Sequence, residues 1–177
     1  MLPDYSWLAW GLIILSTYLT GISKGGFAGG FGTLSVPLMA LAIDPIAAAG
    51  LLLPLLLVMD ALAVKAWWGH QDMAEVKRLI PGMAIGVVVA TLVAGSLDED
   101  HVRLLLGVIS LLFVAYMIVK PAASKPIASF WAWPAGIATG ITSFIAHAGA
   151  PPMNLYLLPR RLPKTTFIAT TTLVFAA

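Results

Sequence analysis

Along this chain apolar residues gather into long blocks, and the polar residues collect in short stretches between them. A bilayer crossing takes roughly 20 mainly apolar residues. By that measure the chain holds crossings at Trp7 to Ser23, Ile46 to Ala66, Leu79 to Leu97, Val102 to Val119 and Ala128 to Ala146, with another starting at Thr165. Two apolar pieces, Thr33 to Ala42 and Met153 to Leu158, are too short to cross. Between the blocks lie Asp44-Pro45, a polar connection from Gly69 to Arg78, the turn Asp98-Glu99-Asp100, a loop from Lys120 to Pro126 and the basic loop Arg160 to Lys164. The acidic turn is suited to N-cap the block that follows it. Trp7, Trp10, Trp131 and Trp133 at block ends read as interfacial anchors. The pattern predicts an all-α, polytopic integral membrane protein.

Two interruptions carry the interest. Gly21 to Gly32 holds six glycines and Lys24, and His147-Ala148-Gly149-Ala150-Pro151-Pro152 is the second. Irregular backbone at membrane depth is tolerated only where protein or a water-filled cavity covers it, so both read as broken or re-entrant helices. They also read as copies. Shifting the chain by 119 residues lays Gly140-Ile141-Thr142 on Gly21-Ile22-Ser23, Gly149 on Gly30 and Leu157 on Leu38. Each copy runs full span, small-residue break, short proline-containing piece, charged turn, span.

The positive-inside bias orients the copies. With the N-terminus outside, eight of the ten basic residues fall in the cytoplasm: Lys65, Lys77, Arg78, Lys120, Lys125, Arg160, Arg161 and Lys164. The copies then enter from opposite sides. This predicts a first repeat at 1–97, a linking span and loop at 98–127, and a second, inverted repeat at 128–177. The second lacks a counterpart of Leu79 to Leu97, which reads as C-terminal truncation. Inverted repeats with broken helices mark secondary transporters whose site lies between the repeats. The alternative is that the small residues serve tight helix packing, as in a non-transporting subunit or anchor.

Composition narrows the classes further. The chain is 60% hydrophobic and 10% charged, with a mean hydropathy of +0.95; soluble domains carry about 25% charged residues. A net charge of +2 gives no footprint for nucleic acid, and without cysteine there is no thiol chemistry. No H-E-x-x-H, G-x-S-x-G or paired-carboxylate pattern suggests an enzyme. His70, His101 and His147 fall at different sides of the membrane, so no metal or other cofactor is expected.

Three stretches resemble the sulfite exporter TauE/SafE family: Lys24-Gly25-Gly26-Phe27-Ala28-Gly29-Gly30; Pro37-Leu38 with Ala47-Ala48-Ala49-Gly50; and His147 to Pro152 with Tyr156-Leu157-Leu158-Pro159 and Thr170-Thr171-Thr172. The resemblance implies a permease of the cell (inner) membrane that moves small sulfur-containing anions such as sulfite or sulfonates, usually outward. The expected partners are that anion and the bilayer, with a homo-oligomer left open.

Lys24 is the first candidate ligand for such an anion. An ammonium in a bilayer costs at least about 2.5–3.5 kcal/mol and needs a partner. The N–H groups of Gly25, Gly26, Gly29 and Gly30, at the start of the following helix, would complete a cradle. The alternative has Lys24 snorkelling to the cytoplasmic interface. His147 is either a hydrogen-bond donor or proton handle, or a buried ring satisfied by a backbone carbonyl freed at the break. Ser23, Thr142, Gly149 and Asn154 complete the binding set, although hydroxyls and amides in membrane helices often just bond to a neighbour. Asp60, the one carboxylate inside a span, is a candidate coupling site, with a local salt bridge to Lys65 as the stronger reading.

Overall fold

The computed structural model describes residues 5–26, 31–94, 98–119 and 128–177, and among these every element is helical. They are α1 (Trp7–Gly26), α2 (Ser35–Met39, entered through a 3-10 turn at Phe31–Leu34), α3 (Pro45–Trp67), α4 (Met73–Ala94), α5 (Glu99–Val119), α6 (Ala132–Ala146), α7 (Ala150–Leu157) and α8 (Lys164–Ala176). Both α3 and α4 are long and apolar enough to cross a membrane. Their outward faces are apolar too: Leu57 and Leu62 of α3 are 63% and 64% exposed, a surface suited to lipid rather than water.

Helix starts follow local chemistry. The Asp44 carboxylate accepts from the Ala47 N–H at 2.8 Å, with Pro45 in the first turn of α3. Asp98 accepts from the His101 N–H at 2.9 Å and so caps α5, as its acidic turn suggested. Asp72 accepts from the N–H groups of Ala74 and Glu75. That cap starts α4 six residues before Leu79, where the apolar pattern placed it, and the polar connection shrinks accordingly.

The first interruption also moves. α1 runs through Gly21 and Lys24 to Gly26. Glycine costs a helix about 1 kcal/mol, but in an apolar setting leaving backbone groups unbonded costs more. Phe27, Ala28, Gly29 and Gly30 lie outside the described residues. The second interruption is confined to 147–149: α6 passes unbroken through Gly140 and Thr142, and α7 begins at Ala150 with its prolines in the first turn.

Two cores result. One gathers Ala9, Val36, Met39, Ala48, Leu52 and Leu106, from α1, α2, α3 and α5. The other gathers Val76, Leu79, Ala132, Met153, Tyr156 and Val174, from α4, α6, α7 and α8. Within the second core α4 and α6 run parallel at very close range. A Cβ on Gly82 would stand 2.6 Å from the Trp133 carbonyl oxygen, and one on Gly86 would stand 2.2 Å from that of Ile137. Gly136 and Gly140 mirror this against Leu79 and Met83. Each helix therefore presents a small-xxx-small face that lets the backbones touch.

This contact predicts a contrast. Gly86→Ala must push α4 off α6 and should lower stability by about 1–3 kcal/mol, the usual cost of overpacking. Gly107→Ala, on α5 with nothing within 4 Å of the new methyl, should cost nothing and gain helix propensity. Thermal unfolding of the two variants in one detergent checks it.

Candidate functional site

α3 is the wall around which the site is built. Pro45, Ala49, Leu52, Leu53, Leu56 and Asp60 line one cavity of about 590 Å³, recurring at the three- and four-residue spacing of a helical face. At 1.5 Å per residue the 23-residue helix is about 34 Å long. Ala49 sits about 6 Å and Asp60 about 22 Å from its start, so the cavity straddles the helix's middle. Pro54 lies between them and removes an N–H from the helix's hydrogen-bond ladder.

Lys24 reaches the cavity from the last turn of α1, where a cation is favoured by the helix dipole. Its ammonium pairs with the Asp60 carboxylate, and the two side chains are 17% and 13% exposed. It also lies 5.0 Å from the centroid of the Phe175 ring, contributed by α8. Lys24 therefore turns inward rather than to the interface. The expected local bridge between Asp60 and Lys65 gives way to this longer-range one: five residues along a helix place Lys65 on a different face from Asp60.

The side chain of Ser23, fully buried in the cavity wall, has no hydrogen-bond partner for its Oγ. Nearby, Thr20 and Ser35 bond to each other at 2.6 Å and to the Ser16 carbonyl.

His147 lines the same cavity from the second interruption. Its Nε2 stands 3.1 Å from the Ala49 carbonyl oxygen. A carbonyl only accepts, so Nε2 carries the proton and donates. The ring is thus held by a backbone carbonyl, as one reading of the sequence expected, but the carbonyl belongs to α3 rather than to the break. Ala49 and Asp60 are eleven residues apart, within about 20° of the same helical face and about 16 Å apart along the axis. His147 and Lys24 are consequently tied to the two ends of one face of α3. The backbone of His147 is left-handed, with φ of +50°, where it closes α6: the Ala148 N–H donates to the Thr142 carbonyl at 3.1 Å and the His147 N–H to that of Ser143 at 2.9 Å. Glycine usually fills that position.

The remaining candidates scatter. Gly25 and Gly26 end α1 instead of opening the next helix, so their N–H groups point back along α1 and not toward an anion. Gly29 and Gly30 are outside the described residues. Gly149 is buried, a Cβ there meeting Phe175 at 2.9 Å and the Thr139 carbonyl at 3.0 Å, which makes it a packing position. The Thr142 hydroxyl donates to the Ala138 carbonyl of its own helix, and the buried Asn154 Oδ1 has no hydrogen-bond partner; neither residue lines the cavity. Among the described residues no three His, Asp or Glu side chains group closely enough to hold a metal.

A second polar cluster went unseen in the pattern. Glu75, which falls in the polar connection from Gly69 to Arg78, is 3% exposed. It accepts from Arg78 at 2.6 Å, Arg160 at 2.8 Å and the Tyr156 hydroxyl at 2.7 Å, and the Arg160 guanidinium stacks over the Tyr156 ring. The signal was present as Asp72-x-x-Glu75, an N-cap followed by an acidic residue three positions on. Glu75 shares its face with Gly82 and Gly86, so once α4 starts at Met73 the carboxylate faces the second core. Removing that charge takes a counter-charge from the half-buried Arg160 and the carboxylate acceptor from the Tyr156 hydroxyl. Glu75→Gln should cost about 3–5 kcal/mol, whereas Arg78→Gln, at the more exposed end, should cost under about 1 kcal/mol. Unfolding midpoints of both variants decide whether the cluster is structural.

Residues 13–177 match the family model for sulfite exporter TauE/SafE. No curated protein and no solved structure matches the chain. With nearly its whole length covered, and with an all-helical fold whose long helices show apolar outer faces, the chain belongs to the sulfite exporter TauE/SafE family of membrane transporters.

Proposed function

We propose that this protein carries a small sulfur-containing anion, sulfite or a sulfonate, across the cytoplasmic membrane through the cavity on α3, with export as the working direction. The observation that carries the reading is a lysine ammonium at the wall of a cavity across the middle of a membrane-length helix. An anion there would draw on the Lys24 charge and on the Ser23 hydroxyl, which has no protein partner to give up. The apolar remainder of the wall would exclude water and strengthen both interactions.

Alternating access would come from two inverted repeats moving against each other. Supporting this, the 119-residue shift that aligned the motifs also lays the start of α3, Pro45, on the start of α8, Lys164, and the end of α1, Gly26, within one residue of the end of α6. The cavity draws Lys24 from the first set of elements and His147 and Phe175 from the second. In this arrangement the N-terminus faces outside, and Glu75 with Arg160 ties the halves at the cytoplasmic end.

One observation favours the second reading, a non-transporting membrane subunit: Lys24 already has a protein counter-charge in Asp60. Thermal unfolding of the purified protein with and without millimolar sulfite, methanesulfonate, sulfate and chloride separates the two. A ligand held at a hundred times its Kd adds about 2.7 kcal/mol to the folded state. The carrier predicts that gain for a sulfur oxyanion and its loss in Lys24→Ala. A subunit predicts no anion effect in a well-folded sample.

A further inference from the structure

We infer that Asp60 is a proton site and that this protein binds its anion and one proton together, so that a monovalent anion crosses as an electrically neutral load. The inference rests on the reading of the cavity as an anion site and extends it to the ion that moves with the anion; outward movement then runs down the anion's own gradient.

The empty cavity holds one ammonium and one carboxylate in mutual contact. An anion that takes Lys24 for itself leaves the Asp60 carboxylate without its counter-charge. It also sets a second negative charge beside that carboxylate, in a largely apolar wall where Coulomb terms are several-fold stronger than in water. Among the described lining residues no other charge compensates. The cavity shared with Asp60 holds Lys24 from α1, His147 from the segment after α6 and Phe175 from α8, while α4, α5 and α6 contribute Val87, Ala94, Val102, Ser143, Phe144 and Ile145, all uncharged. His147 keeps Nδ1 as a proton acceptor, but its ring is held on the Ala49 carbonyl at the far end of the same helical face. The group that loses its counter-charge when the ammonium turns away is Asp60, so Asp60 is the site assigned to the proton. A proton from solvent adds to the carboxylate, the carboxylic acid releases Lys24, and the ammonium turns to the anion. The charge balance is the same before and after: ammonium with carboxylate when empty, ammonium with anion when loaded. A carrier built this way responds to a pH gradient and is indifferent to voltage when its load is monovalent.

Calorimetric titration of the purified protein with methanesulfonate tests this directly. The anion stays ionised throughout, and Bis-Tris and Tris are cationic buffers with different ionisation heats that do not compete as sulfonates. Comparing the two gives protons taken up per anion bound at about pH 7, and a pH series gives the slope of affinity. The expected result is one proton per anion and a Kd that rises about tenfold per pH unit. Asp60→Asn should bind with no proton uptake and no pH slope, and His147→Gln should still take up one proton. Binding by the wild-type protein without proton uptake would overturn the inference and leave the anion site standing. So would uptake that survives Asp60→Asn and disappears in His147→Gln. Absence of binding would remove the anion site and this inference with it. If Asp60→Asn fails to fold, the wild-type count and His147→Gln together decide: one proton in both supports the inference, and loss of uptake in His147→Gln overturns it.

Discussion

A charge cannot rest in an apolar medium without a partner, and the Lys24–Asp60 pair is how this protein meets that constraint. The cost of an isolated ammonium or carboxylate at such depth is several kcal/mol even on permissive scales. Each of the two residues explains the presence of the other. Neither α1 nor α3 supplies any local partner, so the pair fixes the end of α1 against the middle of α3 and sets the lower end of the cavity. Yet buried ion pairs stabilise little relative to apolar replacements of the same size. That makes the pair a poor choice for stability alone and a serviceable one for a site that exchanges partners.

Room for such a site comes from tight packing elsewhere. α4 and α6 approach until their backbones touch at Gly82, Gly86, Gly136 and Gly140, giving the second core a dense, parallel helix pair drawn from both proposed repeats. Glu75 and Arg160 close the same assembly at one end, and the Asp72 N–H donates to Thr170 of α8 at 2.9 Å. The first core gathers around Leu52 and Leu106. The cavity is walled chiefly by α1 and α3, with the end of α6 and the segment after it, Phe175 of α8, and single residues of α4 and α5 completing the lining.

Much of this was legible because the bilayer makes sequence patterns blunt. Long apolar blocks with few charges leave helix as the only economical backbone, and the bounds of α3 fell within a residue of the apolar run. Asp98 announced the start of α5 in the same way. What was misplaced depends on information that periodicity does not carry. Glycines 21, 25 and 26 read as a break, but hydrogen-bond demand in an apolar setting keeps α1 intact through all three. Lys24 and Asp60 are 36 residues apart, so no local window pairs them. Charge accounting over the whole chain would have pointed to it, since Asp60 is the one carboxylate inside an apolar block and Lys24 lies at the inner edge of another, beside the glycine run. Glu75 was lost because a cap at Asp72 was read as loop, which hid the helical face that buries it. Gly149, Thr142 and Asn154 share the second interruption's neighbourhood with His147 without sharing its cavity, a distinction that only side-chain direction supplies.

The two interruptions are tethered to α3 in different ways, and the difference bears on how the halves can move. The first is held by an ion pair whose strength depends on charge state and on what else occupies the cavity. The second is held by a hydrogen bond from His147 Nε2 to the Ala49 carbonyl, between one and two turns of helix before Pro54. That tether is costly to keep: a left-handed histidine where glycine would fit costs about 1–2 kcal/mol of backbone strain. Strain of that size persists only where the surroundings over-determine it, and here the α6 cap and the Ala49 contact both do. On the proposed mechanism an anion at Lys24 would compete with the ion pair and not with the hydrogen bond, so the second interruption would stay docked on α3 while the first is released. The asymmetry would then give separate work to the ends of one helical face, His147 as a fixed tether and Lys24 with Asp60 as the exchangeable one.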